Sequence, residues 1–114
     1  MPAPGNFDVA VHRQHNALVV APRGEIDLAT VDRVKDAVER ARQPGDALVV
    51  DLREVAFIDT TGLRYVLELA DRSSSGEFDL RLVRGPRPVQ RVFEVSGVET
   101  RLPFVDDPEA RLRS

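Results

Sequence analysis

The apolar residues of this 114-residue chain change their spacing several times, and that switching constrains the fold more than any other feature. Phe7 to Val11 (FDVAV) alternates apolar and polar with period two, and LVVA at 18–21 is apolar throughout. The polar link RQHN at 13–16 joins them, which predicts a hairpin. From Ala29 the spacing becomes helical. Val31, Val34, Val38 and Ala41 fall on one face with Ala37 beside them, while Asp32, Arg33, Asp36, Glu39 and Arg40 face outward. Pro44-Gly45 stops that helix. ALVVDL at 47–52 is a short apolar run of the kind a covered strand shows, and Arg53 to Ala56 lead into a turn that delivers residues 59–62 to the second helix. A second helical stripe carries Leu63, Val66, Leu67 and Ala70 and ends at SSSG, 73–76. FDLRLV at 78–83 alternates as a strand. Pro86 and Pro88 introduce a short helix through Val89, Val92 and Phe93 that closes near Gly97. LPFV at 102–105 predicts a small edge strand, and Asp107-Pro108-Glu109 the start of a last short helix.

The order is β-β-α-β-α-β-α with a β-α tail. It predicts a single α/β domain over 7–114, after a short tail at 1–6. The sheet is expected to be mixed, with an antiparallel hairpin and later strands made parallel by helical crossovers.

Composition narrows the function. A hydrophobic share of 42% and a charged share of 31% are those of an ordinary globular domain. Net charge is −3 with no basic stripe, which argues against nucleic acid as a direct partner. No apolar run approaches the length of a membrane span, and MPAPGNFDV does not read as a signal peptide, so no membrane is expected and a cytoplasmic location is. There is no cysteine, which removes thiolate ligands and nucleophiles together. His12 and His15 straddle a predicted strand end and read as surface residues, so no metal or cofactor is expected. Neither a phosphate-binding loop nor a nucleophile elbow is present, and no general base stands near Thr61 in sequence.

Two junctions carry the polar chemistry. In FIDTTGL (57–63) an apolar run meets Asp59, Thr60, Thr61 and Gly62 just before the second helix. Loops at the carboxyl ends of strands are where α/β sheets place their sites. A single cap explains one of these residues, worth about 1 kcal/mol. Two hydroxyls and a glycine admit a second reading, in which another molecule approaches the backbone and a hydroxyl at the helix start is phosphorylated. In RGEIDLAT (23–30), Gly24 reads as a strand end and Glu25 and Asp27 as acids before the first helix. They are explained as a cap favoured by the helix dipole, or as part of a surface shared with the first junction.

Together RGEIDLATVDRVKDAV, LVVDLREVAFIDTTGLRYVLEL and RVFEVSGVETRLPFVDDPEARL resemble the bacterial anti-sigma factor antagonists, which are STAS domains. The resemblance runs in order from about Phe7 to the end of the chain. It implies a non-enzymatic partner-switching protein. Such proteins bind an anti-sigma factor, commonly a serine/threonine kinase of the histidine-kinase-like ATPase fold, and so release the sigma factor. The kinase phosphorylates the second hydroxyl residue of the motif and a serine/threonine phosphatase reverses it. Carried onto this sequence, the acceptor is Thr61, and Asp27, Asp59, Thr60, Thr61, Gly62 and Arg64 form the partner-binding surface. Many relatives have serine where this chain has Thr61, and a small residue where it has Arg64. Two other functions fit the same features. One is a STAS docking subunit of a transporter or stress-signalling complex, not phosphorylated. The other is a small nucleotide- or phosphate-binding enzyme using the start of the second helix.

Overall fold

A computed structural model describes residues 6–107. The hairpin forms from β1 (Asp8–Gln14) and β2 (Ala17–Ile26), antiparallel in a register that pairs Gln14 with Ala17. Arg13 and Gln14, expected in the link, belong to the first strand. The connection is only His15-Asn16, with His15 at φ 57°. β2 does not stop at Gly24 either, but continues to Ile26.

After α1 (Val31–Ala41) the chain enters β3 (Ala47–Asp51), parallel to the first half of β2. A strand then stands where a turn was expected to begin: β4, Val55–Ile58. It pairs in parallel with the second half of β2, Gly24 opposite Val55 and Ile26 opposite Ile58, with an irregularity between Gly24 and Glu25. α2 (Thr60–Ser74) crosses to β5 (Leu80–Val83), and α3 (Arg87–Val95) with a 3-10 turn at Glu99–Arg101 crosses to β6 (Phe104–Val105). The sheet runs β1-β2-β3-β5-β6, and β4 sits off that path against β2. The predicted mixed α/β sheet is what forms, with every pairing parallel except the hairpin. The helix expected from Asp107-Pro108 onward lies outside the described residues.

Pleating divides the core. Leu18, Val20, Leu48, Val50, Leu80 and Leu82 point to one face and pack against Val34 and Val38 of α1, Leu63, Val66 and Leu69 of α2, and Val89 and Phe93 of α3. All three helices therefore bury their stripes in one cluster. Ala17, Val19, Val49, Val83 and Val105 form a smaller cluster on the opposite face. Two guanidinium groups bracket Phe78, Arg42 at 5.1 Å and Arg72 at 5.3 Å from the ring centroid, closing the end of the core remote from the α2 start.

The tight β3–β4 link is tied by Asp51 and Arg53. Burial opposes ionisation of Asp51. Hydrogen bonds from the Arg53 backbone N–H at 3.1 Å, Nε at 3.0 Å and Nη2 at 2.8 Å outweigh it and hold the carboxyl below its ordinary range. A carboxyl with a lower pKa folded than unfolded stabilises the protein above its unfolded value of about 3.9, and loses that contribution as pH falls through the folded value. Asp51→Asn should therefore cost on the order of 1 kcal/mol at neutral pH in urea titrations, with the gap to wild type narrowing as pH falls below the ordinary carboxylate range. A gap unchanged by acid would show that the ion pair contributes nothing.

Candidate functional site

The site forms where β2 and β4 end side by side. Because the two strands are in register at Ile26 and Ile58, the Asp59 N–H donates to the Ile26 carbonyl at 3.1 Å. Asp27 and Asp59 thus leave adjacent strand ends in the same direction, and each opens a turn into a helix.

Asp59 is the N-cap of α2. Its backbone is extended, with φ −101° and ψ −172°, and Oδ1 accepts from the Thr61 N–H at 2.8 Å and the Gly62 N–H at 3.1 Å. Asp27 ties the turn that precedes α1, its Oδ1 accepting from the N–H groups of Ala29 at 3.0 Å and Thr30 at 3.2 Å, while the N-cap position of α1 is Thr30, which makes no side-chain cap bond. Buried Thr30 locks this turn, since its hydroxyl donates to the Glu25 carbonyl at 2.7 Å and accepts from the Asp27 N–H at 2.9 Å. Asp59 is therefore a helix cap, whereas Asp27, expected as a cap of the first helix, instead anchors the turn before it. Both still have Oδ2 without a hydrogen-bond partner among the described residues.

Thr60 is exposed and Thr61 half-buried at the first two positions of α2. Neither hydroxyl has a hydrogen-bond partner among the described residues. Arg64, one turn further on, is exposed. Gly62 is different. A Cβ there would lie 2.6 Å from Ile58 Cγ1 and 2.8 Å from Ile26 Cγ2, well inside van der Waals contact. The glycine lets the first turn of α2 sit down on the ends of β2 and β4. Its small size is needed by the protein's own packing, a sufficient reason that needs no approaching molecule.

Two apolar residues join this surface without having been expected there. Leu28, between Asp27 and Ala29, is 77% exposed, and Phe57, two residues before Asp59, is 47% exposed. A leucine inside a turn, out of register with the helical stripe that follows, is the signal that points to the first. Phe57 belongs to a strand too short to show its alternation. Tyr65 and Leu69, further along α2, are buried core residues.

The surface is suited to a protein more than to a small molecule. A concavity lined by His15, Asn16, Gly45, Asp46 and Asp79 among others lies at the opposite ends of the strands. His12 and His15 are exposed, and among the described residues no group of three or more His, Asp or Glu side chains is arranged to hold a metal ion.

Two substitutions test the cap and the packing. Asp59→Ala should cost about 1 kcal/mol in chemical denaturation by leaving two N–H groups uncapped. Gly62→Ala should cost about 1–3 kcal/mol by forcing α2 away from Ile26 and Ile58. Wild-type stability for Gly62→Ala would show that the close approach is not real.

Known proteins share the sequence pattern and the fold. Residues 8–110 match the family model for the STAS domain. The anti-sigma-F factor antagonist RsfA of Mycobacterium tuberculosis is 27% identical over 114 residues, covering 97% of this chain and 89% of the relative. Osmosensory protein A of the same organism is 27% identical over 88 residues, or 77% of this chain, and the match spans only 56% of that longer relative. The crystal structure of an anti-sigma factor antagonist from Mycobacterium paratuberculosis superposes with a TM-score of 0.81 at 26% identity, covering 100% of both chains. With nearly the whole chain matched and the fold in agreement, this protein belongs to the STAS domain family.

Proposed function

We propose that this chain is an anti-sigma factor antagonist that works by partner switching in the cytoplasm. Unphosphorylated, it binds an anti-sigma factor kinase of the histidine-kinase-like ATPase fold and releases the sigma factor. Phosphorylation of Thr61 ends the interaction, and a serine/threonine phosphatase restores it. The observation that carries this reading is the pair of unpartnered hydroxyls on a helix start fixed by Asp59, beside the Asp27 turn and the exposed side chains of Leu28 and Phe57. Relatives named as anti-sigma factor antagonists support it.

Leu28 and Phe57 supply the apolar contact, and Asp27 and Asp59 offer their remaining carboxylate oxygens. A neutral Thr61 fits between them. A phosphate adds about −1.5 to −2 charges beside two acidic side chains. Like charges brought together in an interface cost several kcal/mol, and each 1.4 kcal/mol is about tenfold in affinity. No refolding is needed to break the complex.

The test uses immobilised Thr61→Ala and Thr61→Glu proteins against a lysate of the native cells, with captured proteins identified by mass spectrometry. The alanine protein should retain an anti-sigma factor of the ATPase fold and the glutamate protein should retain at least tenfold less. Peptide mapping after incubation with ATP and lysate should place one phosphoryl group on Thr61. Equal capture by both proteins would overturn the charge switch. If a transporter ATPase or signalling scaffold were captured and residues 60 and 61 stayed unmodified, the chain would be a docking subunit instead.

A further inference from the structure

Arg64 is exposed, and its side chain makes no ion pair or hydrogen bond with the described residues. We propose that it clasps the phosphate of phosphorylated Thr61, folding it back over the outer surface of α2. This deepens the reading of Thr61 as the acceptor and rests on it. Residues three apart on a helix are neighbours, and long side chains lean toward the helix N-terminus. That spacing puts the Arg64 guanidinium within reach of the turn that holds Thr60 and Thr61.

Among the described residues at the start of α2, the Thr60 N–H and hydroxyl are the other donors left free, and neither carries a charge. A helix start ordinarily offers its N–H groups to an anion. Here the Asp59 Oδ1 already accepts from both Thr61 and Gly62, at 2.8 and 3.1 Å. The phosphate would stand beside Asp59, with Asp27 at the neighbouring strand end. The nearest basic residue on the incoming chain, Arg53, is engaged with Asp51. Arg64 is thus the one cation within a turn of Thr61 along α2, and its planar fork suits a phosphate bidentately. The acid that competes for it is Glu68, four residues further along the same face. A clasped phosphate keeps its dianionic form to lower pH and holds one fixed position.

The experiment places phosphothreonine at position 61 by genetic encoding, so no kinase is required. The phosphate is titrated by phosphorus NMR in the otherwise wild-type protein, in Arg64→Gln and in Arg64→Lys, at low and high salt. The ordinary second pKa is about 6. At low salt the wild-type midpoint should lie about 0.5 pH unit below that of Arg64→Gln, with the lysine variant between them. High salt should shrink the difference. Amide spectra of the unphosphorylated variants check that the exposed substitution leaves the fold intact. Coincident midpoints in wild type and Arg64→Gln at low salt would overturn the clasp while leaving Thr61 as acceptor untouched. A phosphate mapped to another residue in native cells would remove the acceptor assignment, and with it the clasp.

Discussion

β2 holds three partners, and the site exists because it changes partner midway. Its first half pairs with β3 and its second half with β4, while β1 runs along its other edge. The change happens at Gly24, where φ is +107° and a Cβ would stand 2.9 Å from the Asn6 carbonyl oxygen. Only glycine satisfies both conditions without strain. Past that point the strand delivers Asp27 beside Asp59, and the Gly24 N–H is anchored to the Glu54 carbonyl at 3.1 Å. Two sharp turns and two helix starts are thereby fixed side by side at the carboxyl ends of parallel strands.

The two aspartates then serve two ends with one side chain each, Asp59 as the cap of α2 and Asp27 as the anchor of the turn before α1. An aspartate that only capped a helix would be explained by helix stability alone. Here one carboxylate oxygen is committed to backbone N–H groups and the other is not. The loop is rigid before any partner arrives, which limits the ordering cost of an interface. The same commitment takes the Thr61 and Gly62 N–H groups out of play. In the proposed switch a phosphate on Thr61 meets acids and occupied donors, with Arg64 as its counter-charge.

Much of this was legible in the residues. The two helical stripes, the central apolar strand and the Pro-marked third helix follow from spacing and turn chemistry alone, and each forms close to where its pattern lies. Asp59 was legible as a cap because an acid stands just before two hydroxyls and a helical run. β4 was not. Its four residues place Ala56 and Phe57 outward between buried Val55 and Ile58, so no alternation survives, and its pairing exists only because β2 continues past a glycine that reads as an end. The reason for Gly62 was hidden for a related cause. Its close neighbours, Ile26 and Ile58, meet it only once β4 is recognised as a strand. Leu28 was passed over because a turn leucine has no periodicity to betray it. Local patterns reveal elements, and contacts between distant strand ends reveal why a small residue is required.

The central claim is that the site is preformed and that a phosphate changes its charge without changing the fold. The most direct measurement compares backbone amide NMR spectra of the unmodified protein and the protein carrying phosphothreonine at position 61. The account predicts shifts confined to the Asp27–Thr30 turn, the end of β4 and the first turns of α2, with the Thr61 and Gly62 amides keeping the signature of capped N–H groups. Shifts spread through β3, β5 and α3, or loss of the capped amides, would mean that phosphorylation remodels the domain and that the rigid-surface account is wrong.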